Sequence, residues 1–134
     1  MTDWTYLIDK AFEARENAYA PYSNFQVGAC VETKDGCFIP GANVENAAYG
    51  STICGERNAI FGAYARGYRK EDIKALAIVT GAERISTPCG SCRQVLSELL
   101  EPDTPIVLCN RKDTVVTNIA ELLPGAFGAE DLAK

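Results

Sequence analysis

Four residues in this sequence combine types and spacings that can do chemistry. Cys54 and Glu56 stand two apart in Thr52-Ile53-Cys54-Gly55-Glu56-Arg57, and Cys89 and Cys92 stand three apart in Pro88-Cys89-Gly90-Ser91-Cys92-Arg93. The chain contains no histidine. Ser-His and Cys-His couples are therefore excluded, and acid–base work near neutral pH falls to a carboxylate or to a metal-activated water. Any zinc site must be built from thiolate and carboxylate. Cys-x-x-Cys by itself also fits a redox pair or half of a structural zinc knuckle. A structural site needs four protein ligands, and the other cysteines, Cys30, Cys37 and Cys109, have no partner at ligand spacing. Three ligands with one open position is how catalytic zinc is held, and Glu56 stands close enough to that position to serve it without being a ligand.

The elements that would position these residues follow from pattern. Helices are predicted from about Cys54 to Arg66, with Gly67 as C-cap, and from about Gly90 to Leu100, ended by Pro102. Both thiol-bearing segments thus open helices, where unpaired N–H groups and the helix dipole favour thiolate. Ala75–Val79 and Ile106–Cys109 are unbroken apolar runs, the pattern of central parallel strands covered on both faces. A first helix, capped by Thr2 or Asp3, carries apolar residues at Trp4, Leu7, Ile8, Ala11, Ala14 and Ala18 until Pro21. Phe25–Thr33 and Cys37–Val44 form a hairpin around Lys34-Asp35-Gly36, and Pro40 places the second strand at an edge. The loop 110–113 is too short for a crossover helix, so Val115–Thr117 returns antiparallel. A short helix near Ile119–Leu123 closes the chain. The expected fold is α/β: a three-layer α/β/α sandwich around a five-stranded mixed sheet, in one domain spanning residues 1–134.

Composition narrows the partners. Net charge is −5 and the thirteen Lys and Arg are scattered, unlike the basic stripe that binds a phosphate backbone. No stretch approaches the roughly 18 apolar residues of a membrane span, and no export signal is apparent, so a cytoplasmic protein with free or metal-bound thiols is expected. Cys30, Cys37 and Cys109 fall in predicted strands and read as small buried or edge residues. Asn43 and Glu45 are two apart, so on an extended strand an amide and a carboxylate share one face and could bind sugar hydroxyls. The sequence offers neither a Gly-rich phosphate loop nor paired arginines beside them, which disfavours a phosphorylated ligand.

Cys-x-Glu followed by Pro-Cys-x-x-Cys is the signature of the zinc nucleobase deaminases, with Cys in place of the more usual first His. Over nearly its whole length the chain resembles the small, all-cysteine, homotetrameric cytidine deaminases of pyrimidine salvage. The resemblance includes Ala20-Pro21-Tyr22-Ser23-Asn24-Phe25-Gln26-Val27-Gly28, Asn43-Val44-Glu45-Asn46-Ala47 and Glu121-Leu122-Leu123-Pro124-Gly125-Ala126-Phe127. It implies hydrolytic deamination of cytidine and deoxycytidine, with one Zn²⁺ per chain on Cys54, Cys89 and Cys92. Glu56 would shuttle the protons, and Arg57 would donate to the thiolates and offset their excess negative charge. Asn43 and Glu45 would hold the sugar 3′ hydroxyl and Phe25 would stack on the base. Phe127 would reach a neighbouring subunit's pocket, with Tyr22 and Tyr49 at the subunit interface. Gly55 stands where similar proteins usually carry Ala; the family uses that position through its backbone N–H. Two rivals share the motif: a deaminase of another base or nucleoside, such as blasticidin S or adenosine in transfer RNA, and a structural zinc-binding module.

Overall fold

The two unbroken apolar runs become the middle of the sheet. The computed structural model describes residues 3–132. Its elements are α1 (Thr5–Arg15), β1 (Val27–Thr33), β2 (Phe38–Ala42), α2 (Gly55–Ala65), β3 (Ile73–Thr80), α3 (Gly90–Leu99), β4 (Ile106–Cys109), β5 (Thr114–Thr117) and α4 (Ile119–Leu122). The strand order is β2-β1-β3-β4-β5. β3 and β4 are parallel, in the register Leu76↔Ile106 to Val79↔Cys109, and the other neighbours are antiparallel. The expected five-stranded mixed sheet is thus present, with Pro40 on edge strand β2, where a missing N–H costs no ladder bond.

Alternation along the strands divides the core into two layers. Ala29, Val31, Leu76, Ile78, Ile106 and Leu108 face α2, α3 and α4. Cys30, Ala75, Ala77, Val79, Val107 and Cys109 face α1 through Leu7 and Ala11. The α1 face is lined mostly by small side chains, so that helix sits close to the sheet. At Gly28 a Cβ would lie 2.1 Å from the carbonyl oxygen of Ala11. Cys30 and Cys109 are buried as expected. Cys37 is not in a strand: it is exposed and belongs to the turn before β2, its N–H donating to Thr33 Oγ1.

Three of the boundaries that differ from the sequence reading do so for one reason. α1 stops at Arg15 rather than running to Ala18, and residues 16–18 tighten into i→i−3 bonds. Tyr19 N–H then donates to Asn43 O and pairs with Val44 in a parallel bridge. β1 begins at Val27 rather than Phe25, because Asn24 is left-handed (φ 58°) and the Asn43 side chain bonds the backbone of 25 and 27. β2 ends at Ala42, and Val44 instead bridges to Ile53. Long-range pairing around residues 43–45 overrides local periodicity at all three ends. The N-cap of α1 is Trp4 and has no side-chain cap bond; Asp3, one residue earlier, accepts from Thr5 N–H, and Thr2 lies outside the described residues. Among the described residues no helix is long and apolar enough to cross a membrane.

The site end of α2 is seated on β2 through Gly41, where a Cβ would approach Ala59 N to 2.4 Å and Gly55 O to 2.5 Å. Both atoms are backbone, so the helix itself would have to move. Gly41→Ala is therefore expected to cost about 1–3 kcal/mol or more in urea unfolding and to lower activity as well, since the displaced turn carries Gly55 and Glu56. Unchanged stability in that variant would contradict the seating.

Candidate active site and metal centre

Two helix N-termini meet at the site. Cys54 is the N-cap of α2 and Cys89 the N-cap of α3, both extended, while Cys92 lies in the first turn of α3. Their sulfurs fall within 4.8 Å of one another, with Cys54–Cys89 at 4.0 Å and Cys89–Cys92 at 3.4 Å. All three cysteines are free thiols, as are Cys30, Cys37 and Cys109. Sulfurs bound to one tetrahedral zinc at about 2.3 Å would stand about 3.8 Å apart, so the observed separations suit a shared ion. Among the described residues no fourth Cys, Asp or Glu joins the group.

The electrostatics point the same way. The Cys54 thiol is pushed down to about 5, first by its hydrogen bond with the Cys92 thiol and then by Arg57. Cys92 is pushed up by that same bond and by burial. Arg57 Nη2 donates to Cys54 Sγ at 3.5 Å, and Arg57 Nε is buried without a partner. A buried guanidinium N–H with no acceptor is costly. Sulfur carrying full negative charge beside Arg57 would answer that cost, as metal-bound thiolates do. Glu56 is 5% exposed, and burial pushes its carboxyl up.

A cleft of about 250 Å³ opens in front of this cluster. Cys54, Gly55, Glu56 and Cys89 form one side, and Phe25, Asn43, Glu45 and Tyr49 also line it. Among the described residues, no Lys or Arg lines it. Asn43 and Glu45 are 7% and 4% exposed. Asn43 Oδ1 accepts from Val27 N–H and its Nδ2 donates to Phe25 O, which fixes the backbone on either side of Gln26. Glu45 Oε1 accepts the N–H groups of Tyr22 and Ser23, and Oε2 accepts the Ser23 hydroxyl. At Gly55 a Cβ would lie 3.1 Å from Val27 O, so glycine lets the start of α2 approach β1 closely.

The structure does not bring every candidate together. Phe127 is 58% exposed and lies outside the cleft of its own chain, its carbonyl accepting from Gln94 Nε2. Tyr22 is exposed and touches the site only through its backbone, while exposed Tyr49 lines the cleft. Ser23 was missed by sequence reasoning. Its hydroxyl joins Glu45 to the N–H of Phe25, a role that depends on a partner 22 residues away and leaves no local pattern.

With this geometry in view, comparison with known proteins places the chain. A model of the cytidine and deoxycytidylate deaminase zinc-binding region matches residues 1–108. The chain belongs to this family of zinc-binding deaminases. It is 53% identical over 127 residues to a cytidine deaminase of Halalkalibacterium halodurans, covering 94% of this chain and 95% of the relative. A cytidine deaminase of Sporosarcina psychrophila is 48% identical over 128 residues, with 95% and 93% covered. The crystal structure of cytidine deaminase from Burkholderia pseudomallei superimposes with a TM-score of 0.90 at 50% identity, covering 95% of this chain and all of that one.

The Glu45 bonds predict a pH dependence. The Ser23 hydroxyl and the two backbone N–H groups hold the Glu45 carboxyl below its usual range. A depressed folded pKa contributes stability above the unfolded value of about 4.3, and that contribution is lost as pH falls through the folded value. Glu45→Gln should therefore be less stable than the wild type at pH 7, with the gap closing in acid. Urea unfolding at several pH values checks this, and a gap independent of pH would contradict it.

Proposed function

We propose that this protein hydrolyses cytidine and deoxycytidine to uridine and deoxyuridine with release of ammonia, using one zinc ion held by Cys54, Cys89 and Cys92. The single observation that carries the reading is the convergence of those three sulfurs beside the buried Glu56, with no fourth side chain in the group among the described residues. When bound, zinc lowers the pKa of water to about 7 and so supplies a nucleophile at neutral pH.

The chain's own residues do the rest. Glu56 takes a proton from the attacking water with a carboxylate oxygen and passes it to N3 of the pyrimidine, next to C4. Glu56 then carries the water's remaining proton to the amino group, which leaves as ammonia. Burial suits Glu56 to this work, because it favours the protonated form between the two transfers. Arg57 donates to Cys54 Sγ and withdraws charge from a site where three thiolates outweigh a divalent ion.

Phe25 would stack on the base, and Asn43 and Glu45 would present the sugar 3′ hydroxyl with their remaining hydrogen-bonding capacity. Gly55 would serve through its backbone N–H. The lining without Lys or Arg suits a neutral nucleoside and leaves a phosphate unpaired. This also sets the chain apart from deaminases of transfer RNA, which need a basic groove.

The active form we infer is a cytoplasmic homotetramer of single-domain chains, serving pyrimidine salvage. Phe127 would enter a neighbour's cleft, and Tyr22 and Tyr49 would lie at the contact; their exposed rings support the reading. Light scattering should give four times the 14.5 kDa chain mass, and dilution below the assembly threshold should abolish activity.

Glu56→Gln is expected to retain fold and zinc while deamination, followed as loss of cytidine absorbance, falls by a factor on the order of 10²–10⁴. Metal analysis should give one zinc per chain in the wild type. An active Glu56→Gln protein, or active wild type without zinc, would refute the mechanism.

A further inference from the structure

The loop that delivers Cys89 has almost no hydrogen bonding of its own. Residues 81–89 form no helix or strand. Its first part is held by Ala82 N–H on Thr80 Oγ1 and by Asn110 Nδ2 on Glu83 O. From Arg84 to Pro88, the hydrogen bonds among the described residues come from one side chain. Arg93 Nη2 donates to Thr87 Oγ1 at 2.7 Å and Arg93 Nε donates to Pro88 O at 2.8 Å. Its third nitrogen, Nη1, donates to Leu122 O at 2.8 Å, at the end of α4 and 29 residues along the chain. The neighbouring Gln94 holds Phe127 O in the same C-terminal segment.

Arg93 follows Cys92 in α3, so one helical turn carries one sulfur itself and, through a rigid fork, fixes the loop that carries another. Ser86, Thr87 and Cys89 all line the cleft, so the fork also sets that wall. We propose that Arg93 is a positioning residue for the metal centre, holding the Thr87–Cys89 loop so that the Cys89 sulfur stays with those of Cys54 and Cys92. The proposal rests on those three cysteines being the zinc ligands. A planar guanidinium can serve three acceptors in different directions, whereas a lysine ammonium on a flexible stem cannot hold the same three at once.

The test uses the full zinc-loaded chain and measures zinc affinity by competition with a chromogenic chelator, alongside the urea midpoint. Arg93→Gln should hold zinc about 10- to 100-fold more weakly, the range found when groups supporting metal ligands are removed. Arg93→Lys should fall between it and the wild type, and Thr87→Val, which removes one of the three acceptors, should show a smaller loss. Leu7→Ala, in the layer on the opposite face of the sheet, should lower the urea midpoint without weakening zinc binding. That contrast is one a purely structural role for Arg93 would not produce. Should Arg93→Gln fail to fold, Arg93→Lys and Thr87→Val decide. Wild-type affinity in both overturns the proposal, as does an equal loss in Leu7→Ala. Cys89→Ser separates this failure from that of the ligand assignment. If Cys89→Ser binds zinc like the wild type, the assignment itself is wrong; if it binds weakly while the Arg93 and Thr87 variants do not, only the positioning role falls.

Discussion

Three thiol groups held within 4.8 Å of one another set the terms for the rest of this protein. Ionised sulfurs at that distance repel, and burial raises the cost of their charge. The fold answers by bringing the N-termini of α2 and α3 to the same place, so that unpaired N–H groups and two helix dipoles face the cluster. Arg57 adds a formal positive charge in direct contact with Cys54. A divalent ion would complete the compensation, and so the arrangement suits zinc.

Helix ends can meet in this way only if the sheet beneath them is tightly packed. Glycine at 41 removes the side chain that would hold α2 away from the sheet. Beyond the strand ends the ladder gives way to side chain–backbone bonds. Asn43 secures residues 25 and 27, Glu45 secures 22 and 23, and Arg93 secures 87 and 88. Each is a polar side chain reaching a loop or strand-end segment, and together they give the cleft walls a definite shape. Buried polar groups must find partners, and here meeting that demand also builds the binding surface.

Asn43 and Glu45 show how structure and substrate binding can share residues. Both are buried and bonded to the loop that carries Phe25, yet both line the cleft. A sugar hydroxyl would meet groups already fixed by their protein partners, so little ordering would be needed on binding.

The first hairpin, the parallel central pair, the antiparallel last strand and both site helices were legible in the sequence, because continuous apolar runs and helix stops are local signals set by burial and backbone sterics; the pairing of β1 with β3, which fixes the strand order, was not. Cys54, Glu56, Cys89 and Cys92 were legible for a similar reason: groups that act together from one helical turn stand two or three residues apart. The ends of α1, β1 and β2 were not, because bridges from Tyr19 and Ile53 to Val44 and the side chain of Asn43 outcompete periodicity there. Ser23 and Arg93 stood in plain view within recognised segments, but nothing local marks their roles; their partners at Glu45 and Leu122 come near only when the chain is folded. Local spacing thus determined which chemistry this chain carries. Tertiary structure decided how the cleft around that chemistry is held, because hydrogen bonds between residues 22 to 29 positions apart exist only once the intervening elements have packed.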